Sequence, residues 1–176
     1  ICQFETASLS VSGIGSYAWS TGDTTANLLV SPLSTITYAV TVTNTDGCTA
    51  TDAVVVNVNT TPNADAGNNQ TVCGGQTVTL TASGGDSYMW NSGAVTASVT
   101  VTPATTTTYT VTVTSANGCT DDASVTVNVI PLPLVNAGPD IIICEGGFAA
   151  LSASGGGTYV WNTGETDSVI LVLPSA

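Results

Sequence analysis

Apolar and polar residues alternate along most of this chain. Val78, Leu80 and Ala82 take every second position, as do Val99 and Val101, then Tyr109, Val111 and Val113, then Val125, Val127 and Val129. A period of two belongs to a β-strand with one face toward a core, not to a helix. Threonine fills most of the intervening positions, and a β-branched side chain with a hydroxyl suits the solvated face of a pleated sheet. Gly74-Gly75, Gly84-Gly85 and Asn117-Gly118 interrupt the alternation; such pairs supply turns, and Asn-Gly is a hairpin signal. No stretch has the spacing of an amphipathic helix. The apolar run 169–173, VILVL, is strand-length, far short of the roughly 18 residues a membrane-spanning helix needs.

The pattern also repeats, with a period of 71. Cys2, Cys73 and Cys144 fall in register, as do Trp19, Trp90 and Trp161, Tyr17, Tyr88 and Tyr159, Gly22, Gly93 and Gly164, and Pro32, Pro103 and Pro174. Cys48 matches Cys119, and 30 of 71 positions are identical between the first two copies without a gap. Six or seven short strands per copy, with turns every 8–12 residues, predict an Ig-like β-sandwich in each unit. The expected units are 1–61 (first strand missing), 62–132, and 133–176 (truncated, last strands missing). The connectors NTTPNADAGNN (59–69) and IPLPLVNAGPD (130–140) are rich in proline, glycine and asparagine, so a semi-rigid, extended, linear array is expected. Sandwiches cut in mid-fold fit a window on a longer repetitive chain, or strands completed in trans by a neighbouring subunit.

ADAGNNQTVCGG, TLTASGGDSYMWNSG and TTTYTVTVTSANGC followed by SVTVNV, in that order, resemble the tandem Ig-like or PKD-like repeats of very large Bacteroidota surface proteins, the gliding adhesins among them. PKD repeats carry an acidic, glycine-containing signature after the tryptophan; here those positions read STGDTT, NSGAVT and NTGETD, so the Ig-like resemblance is the broader one. It implies a secreted, extracellular adhesin or stalk on the cell surface.

Charge narrows the function classes. The chain holds 12 acidic residues and no lysine, arginine or histidine. Without cations it cannot neutralise nucleic-acid phosphates or an anionic lipid surface. Side-chain salt bridges and Lys–Asn isopeptide cross-links are excluded, and trypsin has nowhere to cut. Catalysis lacks a histidine base and a lysine nucleophile. Adjacent carboxylates such as Asp121 and Asp122 point to opposite faces of a strand. No enzyme and no cofactor is expected.

Five cysteines in a lysine-free β-repeat suggest an oxidising compartment, and no CxxC or Cys/His pattern calls for zinc. Cys2–Cys48 with Cys73–Cys119 is the simplest pairing. Yet in an Ig-like sandwich the turn holding Cys73 and the hairpin holding Cys119 lie at opposite ends. The alternative is an inter-repeat staple, Cys2–Cys119, with Cys73 reaching a cysteine elsewhere; Cys144 repeats the position of Cys2. Both remain open on sequence.

Asp65, Asp121, Asp122 and Asp140 are candidate Ca2+ ligands, since they fall near predicted hairpins and connectors where calcium rigidifies extracellular arrays. They are out of register: Asp65 matches Asn136, and Asn69 matches Asp140. Thr24 and Ser168 follow aspartates in an Asp-Ser/Thr pattern known for O-glycosylation in the resembled group, and Asn59-Thr60-Thr61 and Asn69-Gln70-Thr71 fit the N-glycosylation sequon. Tyr88-Met89-Trp90 and its copies are apolar at all three positions, which predicts core landmarks on a strand covered on both faces or lying at the centre of the sandwich. A structural stalk or filament, partnered by further repeats or copies of itself, is the expected role. The alternative is an adhesin whose repeats bind glycans or a surface directly. Loops of Gly, Ser, Thr, Asn and Asp, with aromatics only at fixed positions, favour the former.

Overall fold

The structure, a computed structural model, describes residues 1–173; Pro174 of the repeated prolines lies outside them. The first repeat supplies β1 (Ala7–Ser10), β2 (Ser16–Trp19), β3 (Asn27–Val30), β4 (Ile36–Thr43) and β5 (Thr49–Val56). The second supplies β6 (Gln70–Cys73), β7 (Val78–Thr81), β8 (Ser87–Trp90), β9 (Ser98–Val101), β10 (Thr107–Thr114) and β11 (Thr120–Ile130). The third supplies β12 (Ala149–Ser152) and β13 (Val169–Val172). Every described element is a strand, and the fold is a tandem set of Ig-like β-sandwiches.

The second repeat displays the design most fully. Its sheets are β7-β9 and a four-stranded sheet in the order β6-β11-β10-β8. Val111, Val113, Val125 and Val127 on one sheet meet Val78 and Leu80 on the other, with Trp90 between them and Ala66 and Ala82 closing the core. These are the residues of the apolar alternation. Each buried methylene contributes about 0.8 kcal/mol, so the two valine rows and the indole dominate the cohesion of this small unit. The threonines on the outer faces pair across strands, Thr79 with Thr100, Thr81 with Ser98 and Thr108 with Thr126, cross-strand contacts that fix register at little cost in desolvation. No polar side chain is buried among the described residues.

The segment before β6 changes sheets. Asp65 forms an antiparallel bridge with Ser83, just beyond β7, and five residues later β6 runs parallel to β11, with Gln70 opposite Val127 and Cys73 opposite Ile130. Gly67, at φ 79°, makes the kink between these pairings, and its amide donates to Asp65 Oδ1 at 2.9 Å. The position demands glycine because side chains rarely tolerate this backbone region.

The first repeat reproduces the scheme, with β1-β3 facing β2-β4-β5 around Trp19, Leu28, Val30, Tyr38, Val40 and Val56. The parallel bridge Cys2–Asn59 stands at the register position of Cys73–Ile130. In the third repeat β12 pairs with β13, and the bridge Asn136–Ser154 matches Asp65–Ser83. Tyr159 and Trp161 lie outside any strand there.

One expectation fails. The Tyr-x-Trp strand is not covered on both faces. β8 is the edge of its sheet, and Met89 is 54% exposed while its counterpart Val160 is 80% exposed. An apolar residue on an outer sheet face satisfies strand propensity without being buried.

Candidate functional site

The most distinctive chemical feature lies between repeats. Cys2 of the first is bonded to Cys119 of the second, with Cα atoms 5.6 Å apart and a sequence separation of 117. Cys119 sits at the foot of the β10–β11 hairpin, whose turn is closed by Ser115 N to Cys119 O (2.9 Å) and Gly118 N to Ser115 O (2.9 Å). Asn117-Gly118 thus acts as the hairpin signal it resembles, with Gly118 at φ 81°. On the other side, Gln3 N donates to Asn59 O (3.0 Å) and Asn59 N to Ile1 O (2.9 Å), pinning Cys2 to the end of its sandwich. The Cys119 sulfur rests 3.9 Å from the Asn59 carbonyl oxygen and is buried.

Of the two pairings left open by sequence, Cys2–Cys48 and Cys73–Cys119 are therefore not formed. Their obstacle is topological. Cys73 faces Ile130 at one end of β11, while Cys119 precedes Thr120 at the other. A strand of this length spans roughly 33 Å at about 3.3 Å per residue, whereas a disulfide needs Cα atoms within about 7 Å. Cys48, Cys73 and Cys144 are free and exposed. By register Cys48 repeats Cys119, while Cys73 and Cys144 repeat Cys2.

The aromatic landmarks are tied into the turns that follow them. Trp90 N donates to Ala94 O and Gly93 N donates to Trp90 O, both at 2.8 Å. The indole Nε1 donates to Thr96 O. Trp19 and Trp161 make the same set. Tyr17 and Tyr88 each donate a phenolic hydrogen bond to a glycine carbonyl three or four residues upstream, while Tyr159 is half-buried.

The four aspartates proposed for calcium are not gathered. Asp65 Oδ1 accepts from Gly67 N, Asp121 Oδ2 from Ala64 N (3.0 Å), and Asp122 Oδ1 from the Thr112 hydroxyl (2.6 Å). Asp140 is exposed in the second connector. Among the described residues no three His, Cys, Asp or Glu side chains come together to hold a metal. Thr24 and Ser168 are both exposed, in the loops that follow Trp19 and Trp161. In the first of these loops the Thr25 hydroxyl and amide donate to Asp23 Oδ1. Those bonds hold the Asp23 carboxyl below the usual carboxylate range.

Sequence reasoning missed a groove in the first repeat. It encloses about 460 Å³ between the end of β1 and the β4–β5 hairpin, with Val11, Ser12 and Gly13 along one side. The only prior signal is the ADAG segment of the second repeat, whose role as a core strand becomes visible once Ala66 is found buried.

No protein-family model and no curated protein matches the sequence. Among solved structures, the chain is similar to the three N-terminal domains of the Highly Immunogenic Outer Capsid protein of bacteriophage RB49, at 18% identity and a TM-score of 0.38 over 99% of this chain and 66% of that one. It is similar to immunoglobulin domains 1–4 of Sidekick-1, at 17% identity and 0.34 over 88% and 56%. It is also similar to part of a 1.5-MDa bacterial ice-binding adhesin, at 16% identity and 0.33 over 97% and 81%. The chain spans about two thirds or less of the first two.

Proposed function

We propose that this chain is a structural element of an extracellular stalk or filament, built from rigid Ig-like repeats that are covalently stapled to one another. The observation that carries this reading is the Cys2–Cys119 disulfide, which joins two separately cored sandwiches. A covalent link between units resists bending and relative rotation, which a chain of independent binding modules has no need of. The absence of lysine and arginine supports it too, since a fibre in a protease-rich medium gains from offering no tryptic site. Its resemblance to surface repeats of Bacteroidota is in keeping with secretion, and the unpaired counterparts of the staple point to further repeats or copies as partners.

Small-angle scattering with and without reductant tests the reading. The oxidised chain should scatter as a rod, and the reduced chain should show a broader distribution of end-to-end distances. A compact oxidised particle, or identical profiles in both states, would sink the stalk. Binding of the chain to a glycan array would instead favour the adhesin alternative.

A further inference from the structure

The two-stranded sheets of the three repeats carry different outer faces. In the second repeat Thr77, Thr79 and Thr81 lie beside Ser98, Thr100 and Thr102, and all six are exposed. Their hydroxyls pair across the strands, Thr77 with Thr102 at 3.1 Å, Thr79 with Thr100 at 3.5 Å and Thr81 with Ser98 at 3.2 Å. The last strands of that repeat, β10 and β11, belong to the opposite sheet, so they do not cover this face. In the first repeat the counterparts are Thr6, Ser8 and Ser10 with Asn27, Leu29 and Ser31, polar at every position but one.

The third repeat departs from this. One period on, the six positions read Phe148, Ala150 and Ser152 along β12 and Val169, Leu171 and Leu173 along β13. The alternation is kept: Ala149 and Ile170 are buried beneath, while Ala150 stands opposite Leu171 and Ser152 opposite Val169. Yet the outward side chains are apolar. Leu171 is 73% exposed, Phe148 71%, and Val169 and Leu173 57% each. Neither 148–152 nor 169–173 holds a charged residue. Together they leave roughly 400–500 Å² of apolar surface open, toward the upper end of what a soluble monomer exposes in one patch. Threonine serves this face in the second repeat, so strand propensity alone does not call for Phe148 or Leu171.

The relief of the face indicates what fits on it. β13 presents a ridge of three branched side chains, and β12 beside it a trough floored by Ala150 and Ser152 with Phe148 at one end. Turning a second copy by a half-turn about an axis parallel to the strands sets its ridge over this trough and its trough over this ridge. One patch then serves both partners, an isologous contact with the face-to-face packing of two sheets about 10 Å apart. Charge argues the same way. Each chain has formal charge −12 and no cation, so a cationic partner is drawn to the carboxylates elsewhere, and two copies meet with least repulsion across an uncharged face.

We propose that the outer face of β12 and β13 is a self-association surface, through which two copies of this chain pack face to face. The pair buries roughly 900 Å² in total, below the approximately 1,200 Å² of a stable interface. A single contact is therefore weak, and it gains strength where many copies are laid alongside one another. The inference deepens the filament reading by giving it a lateral contact, and rests on that reading for its biological meaning.

Sedimentation velocity of the intact 176-residue chain, with free thiols alkylated so that new disulfides cannot contribute, tests it. A monomer–dimer equilibrium is expected, shifted toward dimer by added salt because screening weakens the repulsion between two anionic bodies. Phe148→Thr combined with Leu171→Thr gives the third repeat the residues that the second carries at these positions, and should weaken association at least about tenfold. Both positions are exposed and threonine suits a strand, so the circular dichroism and thermal transition should be unchanged. Leu29→Thr, on the equivalent face of the first repeat, should leave association as it was. A chain that remains monomeric at about 1 mM in about 0.5 M salt overturns the proposal. Association indifferent to the double variant, or equally weakened by Leu29→Thr, overturns it as well, since the contact would then run through another surface. So does a monomeric chain that binds zwitterionic lipid vesicles through Phe148 and Leu171, which would make the face a lipid contact. None of these outcomes alters the rod-like scattering expected of the oxidised monomer in dilute solution, so failure here and failure of the stalk reading are separable.

Discussion

Trp90 and Thr96 are joined by a hydrogen bond from the indole Nε1 to the carbonyl oxygen, 3.0 Å long and six residues on. The bond recurs from Trp19 to Thr25 and from Trp161 to Asp167. It persists in the third repeat, where Trp161 belongs to no strand, so it belongs to the local turn and not to the sheet. In the second repeat the same indole is also fully buried. Trp90→Ala should therefore cost about 3–5 kcal/mol through lost burial and a cavity. Trp90→Phe keeps much of the ring but drops the donor, and should cost less. Trp161→Ala, at a half-buried site, should cost least. Denaturant unfolding followed by circular dichroism checks the order, and equal losses at Trp90 and Trp161 would contradict it.

The disulfide assignment is open to direct chemistry. Alkylation of the native, non-reduced chain should label Cys48, Cys73 and Cys144 and spare Cys2 and Cys119. Digestion at acidic residues should then release one cross-linked peptide holding the latter two. Recovery of a Cys2–Cys48 peptide would refute the staple. A disulfide contributes about 2–4 kcal/mol through the unfolded state, and toward the upper end for so long a loop, so Cys119→Ser should lower the thermal transition.

Gly84 and Gly13 occupy one register position with different ceilings. Both have positive φ, 108° and 153°, so alanine is strained at either. At Gly84 the added methyl must also displace the Asn63 backbone, whereas at Gly13 it meets only a side-chain methyl at contact distance. Gly84→Ala should be the more destabilising by about 1–3 kcal/mol, the usual range for overpacking. Equal melting shifts would contradict this difference in packing.

Asp23 provides a pH test. The Thr25 hydroxyl, then its amide, hold the carboxyl below the ordinary 3.8. A group whose folded pKa is depressed binds fewer protons folded than unfolded. Its contribution is thus complete above the ordinary value and is lost as pH falls through the lower, folded one. An NMR titration should find the Asp23 carboxyl titrating below 3.8, and Thr25→Val should raise its midpoint. Glu165, held down by Thr163 in the third repeat's counterpart loop, should behave alike. A midpoint indifferent to Thr25→Val would detach the shift from this hydrogen bond.

What the sequence disclosed follows from how the information is encoded. Val111, Val113, Val125 and Val127 announce their burial by alternation, and Asn117-Gly118 announces its hairpin, because both signals are local. Met89 misled because β propensity suits either face of a strand, whereas burial belongs only to the inner one, and Met89 lies on the outer face. The partner of Cys119 depends on how one sandwich stands against the next, a relation between residues 117 apart that no local signal carries. Ala66 is a small residue in a glycine-rich connector, and its place in the core depends on a sheet switch created by Gly67.

The parallel pairing of β6 with β11 bears on how the chain carries tension. The backbone enters β6 at Gln70 and leaves β11 at Ile130, so a pull on the two ends slides these strands lengthwise past each other. Their hydrogen bonds are then loaded together instead of being peeled open one at a time. That loading belongs to the reduced chain: with the sulfur bridge formed, force arriving at Cys2 crosses directly to Cys119, and the residues between them, β6 included, leave the loaded path. Oxidation therefore fixes how far this stretch can extend, and reduction would lengthen it without breaking a peptide bond.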